Sequence, residues 1–472
     1  QFHVVVPVTQ KTLVELIVSA GNVAGAGPIS ATLSGVELET HGDRAAAETI
    51  ILQRSERAEL ARWRREVQPR ILLENLEAEI ARQVPEPGNG YGIVGAVEIG
   101  YAARSITTLT RGDTLYVFVA NAGDDSVTVL ERAHPGASLA WKCDLLFPEF
   151  STPIDVQAIQ TKTETVLGVS FFHMQDVASH FGMTGFGTIP LDLILDRSQS
   201  NSAIRIDKAE IRILYSRSGI QGARNSAFLD GGKLGRWIAV ADRDASLIAL
   251  LYQSSDDVEW RLPAVLIPLE DGFEPVGISG HIQGNNAVFY SASRLSPKLA
   301  QVVCGADNQT HAVSMTDIGG LSRSSIAIGT FGKNKEMGLA VGLWGGDPRN
   351  VTTPYQGSVF YADINENGDL VNHTWFDAGI NTTDVVAGDL DGDGIDELAV
   401  LNYGNGLNLD ERSHLGDLQL FKKISGEFQH IATLDLPTPR IGLVTDYDGD
   451  GKLELGITLF HEKRLIIARH FK

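Results

Sequence analysis

Two matching acidic turns set 57 residues apart, a glycine-rich β texture and a chain too long for one simple core predict a mainly β fold. The expected form is a seven-bladed β-propeller with an N-terminal extension containing one or two helices. The turns are GDLDGDGIDELAV (388–400) and TDYDGDGKLELGI (445–457), and Asp389 aligns with Asp446. A fixed period of that size marks a repeated supersecondary unit. The chain has 472 residues, 49 of them glycine. Abundant glycine favours strands joined by tight turns, and a core of this length outgrows ordinary single domains unless it is built from repeats.

Residues 1–90 read as the extension. Short strands are expected in 1–40 (FHVVVPV, LVELIVSAG, ISATLSGVELE). Asp43 can cap a helix. Ile51, Leu60, Trp63, Val67, Ile71, Leu72, Leu76 and Ile80 then follow at helical spacing. Pro69 interrupts them, so helices are expected near 44–68 and 70–83, with VPEPGNG (84–90) as a linker. These helices are a packed accessory element or, on a sharper reading, a dimerisation surface.

Residues 91–472 read as the propeller. The frame of the acidic turns recurs upstream without its acids, near positions 109, 159, 228, 281 and 330. In each, an apolar strand meets a polar turn and a second strand follows. With the turns at 389 and 446 this makes seven frames, the number of four-stranded blades that closes a ring. Asp446 to Lys472 spans only 27 residues, enough for LELGITLF and RLIIARHF. The last blade therefore needs a strand from the N-terminal side, either IVGAVEIGY (93–101) or part of 1–40. Left incomplete, it would expose an unpaired edge.

Charge narrows the partners. Lys and Arg total 39 against 59 Asp and Glu, a net charge of −20. Such a chain repels nucleic acid and anionic membrane surfaces. No apolar run reaches the ~18 residues of a membrane span, so no membrane insertion is expected. A start at Gln1 and four sequons (Asn308, Asn350, Asn372, Asn381) fit a secreted glycoprotein. Cys143 and Cys304 fall in blades one and four, too far apart to bridge.

The acidic turns have the spacing D-x-D-x-D-G-x-x-E. Alternate carboxylates converge when such a loop curls, and hard oxygens in that arrangement suit Ca²⁺. The first turn offers Asp389, Asp391, Asp393, the Ile395 carbonyl and Glu397. The second offers Asp446, Asp448, Asp450, the Lys452 carbonyl and Glu454. An EF-hand would carry Glu at position 12 between helices; here that position is Val400 or Ile457, between strands. Two structural Ca²⁺ sites are the expectation, with a metal-free solvated turn as the alternative. A third acidic stretch, ADINENGDL (362–370), reads as a plain hairpin turn.

These two loops resemble the FG-GAP repeats of integrin α-like propellers and the related VCBS repeats. The resemblance implies that the calcium loop joins the first two strands of a blade on the lower face. It implies a structural ion. A ligand would then sit on the upper face, among the loops between second and third strands. Blade two offers a long insertion, FFHMQDVASHFGMTGFGTIPLDL (171–193), with His173 and His180. Arg243 and Arg294 lie in blades three and four. Trp344, Arg349 and Tyr355 lie in blade five, Tyr403, Asn405, Arg412 and His414 in blade six, and His461 in blade seven. Arginines with aromatics suit acidic sugars. Histidine with tyrosine and arginine can also abstract a proton beside a uronate carboxylate.

Two function classes follow. One is a lectin-like module that binds a carbohydrate or protein ligand through Arg243, Arg294, Trp344, Arg349, Tyr355, Asn405 and Arg412. The other is a carbohydrate-active enzyme, such as a polysaccharide lyase, using His173, His180, Tyr403, His414 and His461. Loops are polar whatever they do, so each residue taken singly also reads as solvated surface, and a purely structural scaffold is the third reading. No P-loop, nucleophile elbow, dinucleotide fingerprint or zinc motif stands out.

Overall fold

A computed structural model describes residues 90–471, apart from 148–150, 162–163, 176–181, 199–201, 219–221, 306–310, 323–325, 334, 347–354 and 405–415. The helices, strands and linker expected in 1–89, and any dimer surface there, lie outside the described residues.

The chain is mainly β and folds as a seven-bladed propeller. In blade one, Ala103–Arg111, Thr114–Asn121, Ser126–Arg132 and Ala140–Leu146 pair in sequence order. The pattern repeats in blade two (152–218), three (223–268), four (275–317), five (326–380), six (382–436) and seven (439–471). Each first strand packs against the first strand of the next blade. The ring closes where Ala103–Arg111 meets Pro439–Thr445. All seven frames seen in the sequence fall at the end of a first strand.

The last blade contributes three strands of its own. Its fourth is Gly90–Glu98, antiparallel to Arg464–Phe471, with Glu98 opposite Arg464. The ring is thus clasped by the start of the described chain, which removes the open edge of the last blade.

Second strands are buried on both faces. Arg236–Asp242, Glu397–Asn402 and Glu454–Leu459 are buried at every position, so they read in sequence as unbroken apolar runs. Fourth strands face solvent, as in Arg261–Pro268. Hydrophobic clusters lie at the blade junctions: Phe118 with Leu167 between blades one and two, Leu398 with Phe331 between five and six, Leu465 with Val117 between seven and one. No blade buries its own two faces, which is why the unit must repeat.

Blade two departs from expectation. Its second and third strands are Thr165–Gln175 and Gly182–Pro190, so most of the long upper-face insertion is strand. The irregular part comes later, between the third and fourth strands. It comprises a helix, Leu191–Ser198, a 3-10 turn at Lys208–Glu210 and a short strand, Ala203–Arg205, added in parallel to the edge of blade one. Phe171 is fully buried in the blade-one junction, and the apolar run that looked like a loop is a core strand.

Cys143 and Cys304 are buried free thiols, both pushed up to about 12 by burial. Asn381 is fully buried: its side chain accepts from the Tyr355 N–H at 3.0 Å and donates to the Gly404 carbonyl at 3.0 Å. That sequon is a structural joint unsuited to glycosylation, whereas Asn372 is exposed.

One buried acid ties three inner strands together. Asp155 of blade two accepts from Ser105 Oγ of blade one at 2.6 Å, and from Ser226 N and Oγ of blade three at 2.7 and 2.5 Å. Burial pushes its carboxyl up to about 6, against these bonds, which pull it down. The folded value lies above the ordinary 3.8, so folding favours the protonated form. The resulting stability is complete below that ordinary value and is lost as pH rises through about 6. Asp155→Asn should remove roughly 2–3 kcal/mol of pH dependence across that window. Urea melts at several pH values measure it, and an unchanged slope would mean another group titrates.

Candidate functional site

The lower face carries the acidic loops. Gly392 and Gly394 have φ of 72° and 86°, and Gly449 and Gly451 of 80° and 85°, the left-handed region that needs glycine. The curl aims backbone N–H groups at the acids. Asp389 accepts from Asp393 N and Gly394 N, both at 2.9 Å, and Asp446 from Gly449 N and Gly451 N at 2.6 and 3.0 Å. Glu397 Oε2 accepts from Leu390 N at 2.8 Å, and Glu454 Oε2 from Tyr447 N at 2.7 Å. Oxygens of Asp389, Asp391 and Glu397 lie within 4.8 Å of one another, and those of Asp446, Asp448 and Glu454 do the same. Asp393 and Asp450 stand at the rim and hold the N–H groups of Ile395 and Lys452 at 3.0 and 2.9 Å. The donor set fits a hard divalent cation.

The sequence reading missed a second feature of both loops. Lys422, on the third strand of blade six, stands directly across from Glu397, one step beyond the Leu398–Phe421 pair. Its Nζ reaches Glu397 and Asp391 at 2.6 Å and Asp393 at 2.9 Å. Arg469 stands across from Glu454 in blade seven, one step beyond the Leu455–Ala468 pair, and bonds Glu454 and Asp448. Each acidic cluster therefore meets a cation of its own chain at the same cross-strand position. Burial pushes Glu397 above the usual carboxylate range, while Lys422 pulls it back. Burial also opposes the Lys422 charge, but its three carboxylate partners hold it above the usual lysine range. A cation placed among these carboxylates would have to displace Lys422 from the same oxygens.

The stretch at 362–370 forms the hairpin turn between the third and fourth strands of blade five, with Gly368 N bonded to Asn365 O at 2.9 Å. Asp363 pairs with Lys423 at 2.6 Å.

The upper face is organised by repetition. The residue just after the second strand donates its N–H to a carbonyl before the first strand. Ala122, Arg243, Arg294, Trp344, Tyr403 and Phe460 all do this, at 2.8 to 3.2 Å. In blade two, Phe172 follows Phe171, the partner of Pro153, and so holds the matching place. These positions form one ring at the upper end of the axis. It is aromatic through blades five, six and seven and basic in blades three and four.

A second tier lies below it. In blades one, three and seven the first strand has a bulge near its upper end, and the bulge holds Arg104, Arg224 and Arg440. The sequence signal is an arginine second in the strand: AARS, GARN and TPRI. Arg104 lies 4.7 Å from the Phe460 ring centroid. Its Nε is buried with no hydrogen-bond partner among the described residues. Burial pulls its guanidinium below the usual range. Tyr403 and Tyr101 favour its charge, and Arg294, reaching from blade four, opposes it. Tyr403 and His461 are joined by a Tyr OH···Nε2 hydrogen bond of 2.8 Å. The His461 ring lies 4.9 Å from that of Phe460 and 6.1 Å from that of Tyr101.

Of the residues proposed from sequence, Arg243, Arg294, Trp344 and Tyr403 occupy the ring and His461 adjoins it. Trp344 is fully buried, 6.4 Å from the Tyr403 ring, as a support beneath the surface. Arg243 is buried and paired with Asp244 at 2.9 Å. Tyr355 packs over Gly346 and holds Asn381 instead. His173 lies in a second strand, opposite Thr152. His180, Arg349, Asn405, Arg412 and His414 lie outside the described residues. Arg104, Arg224, Arg440, Phe172 and Phe460 were missed because only the bulges and the closed ring bring them together.

No known protein family and no curated protein matches the chain. Among solved structures 454 chains resemble it. One, a candidate 6-phosphogluconolactonase from Bacteroides uniformis, is 12% identical with a TM-score of 0.44, over 71% of this chain and 85% of its own. A likeness that distant carries no argument about chemistry.

Proposed function

We propose that this is a secreted, calcium-stabilised propeller of the FG-GAP/VCBS type that binds an acidic glycan at the upper mouth of its axis. The observation that carries the ligand reading is Arg104, a buried guanidinium with no acidic partner among the described residues, seated on Phe460 beside Tyr101, Tyr403 and His461. A cation held this way inside a chain of net charge −20 is costly unless an anion completes it. A uronate supplies a carboxylate for the guanidinium and a ring face for the aromatics. The paired loops, with three converging carboxylates each, support the calcium reading.

The Tyr403–His461 bond favours a second reading. A tyrosine oxygen held by an imidazole next to an arginine suits proton abstraction beside a uronate carboxylate, the first step of lyase cleavage. Incubation with polygalacturonate separates the two readings. A lyase releases unsaturated uronate, and Tyr403→Phe should lower that turnover by about 10²-fold or more with little change in binding. Binding without unsaturated product leaves the mouth as a recognition site. Neither binding nor product would remove both readings.

A further inference from the structure

A buried carboxyl holds the turn that carries two of the mouth's side chains. The second and third strands of blade seven, Glu454–Leu459 and Arg464–Phe471, are joined by Phe460, His461, Glu462 and Lys463. Phe460 carries the ring that Arg104 meets at 4.7 Å, and His461 bonds the Tyr403 hydroxyl at 2.8 Å. The turn hangs on Thr438, just before the first strand of the blade. The Thr438 carbonyl accepts from Phe460 N at 3.0 Å, and its hydroxyl donates to Glu462 Oε2 at 2.8 Å. The same oxygen accepts from His461 N at 3.3 Å. Thr438 and Glu462 are both buried.

The other oxygen of Glu462, Oε1, is buried with no hydrogen-bond partner among the described residues. The titratable and charged groups around the turn are His461 and Lys463 within it, Tyr403 of blade six, Arg440 of the blade-seven first strand, and Tyr101 and Asp124 of blade one. Lys463 pairs with Asp124 at 3.9 Å, and Arg464 with Glu98 of the clasp at 3.4 Å. Among the described residues none of these cations pairs with Glu462. Burial pushes its carboxyl up to about 7, against the hydrogen bonds from Thr438 and the turn, which pull it down. A buried carboxylate without a cation is costly, so the closed turn favours the protonated form. Losing the proton leaves a charge on an oxygen with no donor, which water or a movement of the turn has to satisfy.

We infer that Glu462 is a positioning residue of the mouth: protonated, it holds Phe460 and His461 in place for an anionic ligand, and ionised, it loosens their turn and repels that ligand. This rests on the acidic-glycan reading above and deepens it by adding a control through pH. The folded carboxyl keeps its proton more tightly than the unfolded one. The stability it contributes is therefore complete below the ordinary 4.5 and is lost as pH rises through about 7. An anion bound nearby opposes the same ionisation, so ligand binding weakens over the same interval.

Calorimetric titration of the full chain with galacturonic acid tests it, beside Glu462→Gln, which keeps the shape of the group and never ionises. Between about pH 5.5 and about pH 8.5, where the ligand stays ionised, wild-type affinity should fall about tenfold more than that of Glu462→Gln. His461 and Asp155 are present in both proteins, so their own titrations cancel in the ratio. Thr438→Val, which removes the donor favouring the charged form, should move the wild-type fall to higher pH, and serves as the second variant if Glu462→Gln does not fold. Urea melts over the same range give a readout without ligand: the wild type should lose more stability toward the alkaline end than Glu462→Gln. An affinity ratio that stays constant with pH would overturn the switch and leave the uronate reading intact. Failure of the wild type to bind at any pH would overturn the uronate reading and the ligand half of this inference. The melts then test the turn by themselves, and equal slopes would overturn that half too.

Discussion

Lys422→Met should destabilise the protein by roughly 3–5 kcal/mol in calcium-free buffer, the usual cost of leaving a buried charge without its partner. Lys422 is the cation that Glu397, Asp391 and Asp393 share. Glu397 is fully buried, so water cannot take over when the ammonium goes. The same substitution vacates the place that a metal ion would take. Added Ca²⁺ should therefore restore most of the loss, and the variant should bind Ca²⁺ more tightly than the wild type, since no internal cation has to be displaced. Melting curves with chelator and with Ca²⁺ measure both effects. Arg469→Met should behave alike in blade seven, where Arg469 serves Glu454 and Asp448. Unchanged melting of Lys422→Met in chelator would show that the lysine is dispensable. Absence of any Ca²⁺ response in wild type and variants would remove the calcium reading and leave the loops as internal ion pairs.

Arg104→Met should weaken uronate binding by about 10- to 100-fold, the worth of one charge-assisted hydrogen-bonded contact of about 1.5–3 kcal/mol. Its effect on stability should run the other way. Arg104 has a buried Nε with no partner among the described residues and feels Arg294 of blade four. Replacing it with an apolar side chain of similar length removes a desolvated charge and its repulsion. The variant should melt at or above the wild-type temperature. A residue serving the fold would lose stability and binding together, so the two readouts in parallel separate the roles. Binding to the wild type should also fall as salt rises, because the attraction is between charges. Full binding by Arg104→Met would move the ligand away from this part of the mouth.

The architecture was readable because repetition writes itself into sequence. A blade cannot bury either face alone, so every blade needs a doubly buried second strand, and each such strand leaves an apolar run after a polar turn. GDLDGDGIDELAV and its partner 57 residues on set the period, and the frames near 109, 159, 228, 281 and 330 all fall at ends of first strands. The same reasoning misjudged blade two. An apolar run with histidines and glycines looks alike in a strand and in a packed loop, and only pairing distinguished Thr165–Gln175 and Gly182–Pro190.

The chain's local order thus determined the strands, the turns, the glycines that let the acidic loops curl, and the need for a clasp on the last blade. These depend on spacing within some ten residues. The tertiary structure alone decided which charges meet. Lys422 faces Glu397 across 25 residues and Arg104 faces Phe460 across most of the chain, because strand register and ring closure set those distances. The acidic loops looked like bare anions along the sequence, yet each carries a cation from the strand opposite. Scattered arginines came beside the upper ring because first-strand bulges and ring closure set Arg104 over Phe460 and Arg224 over Phe172.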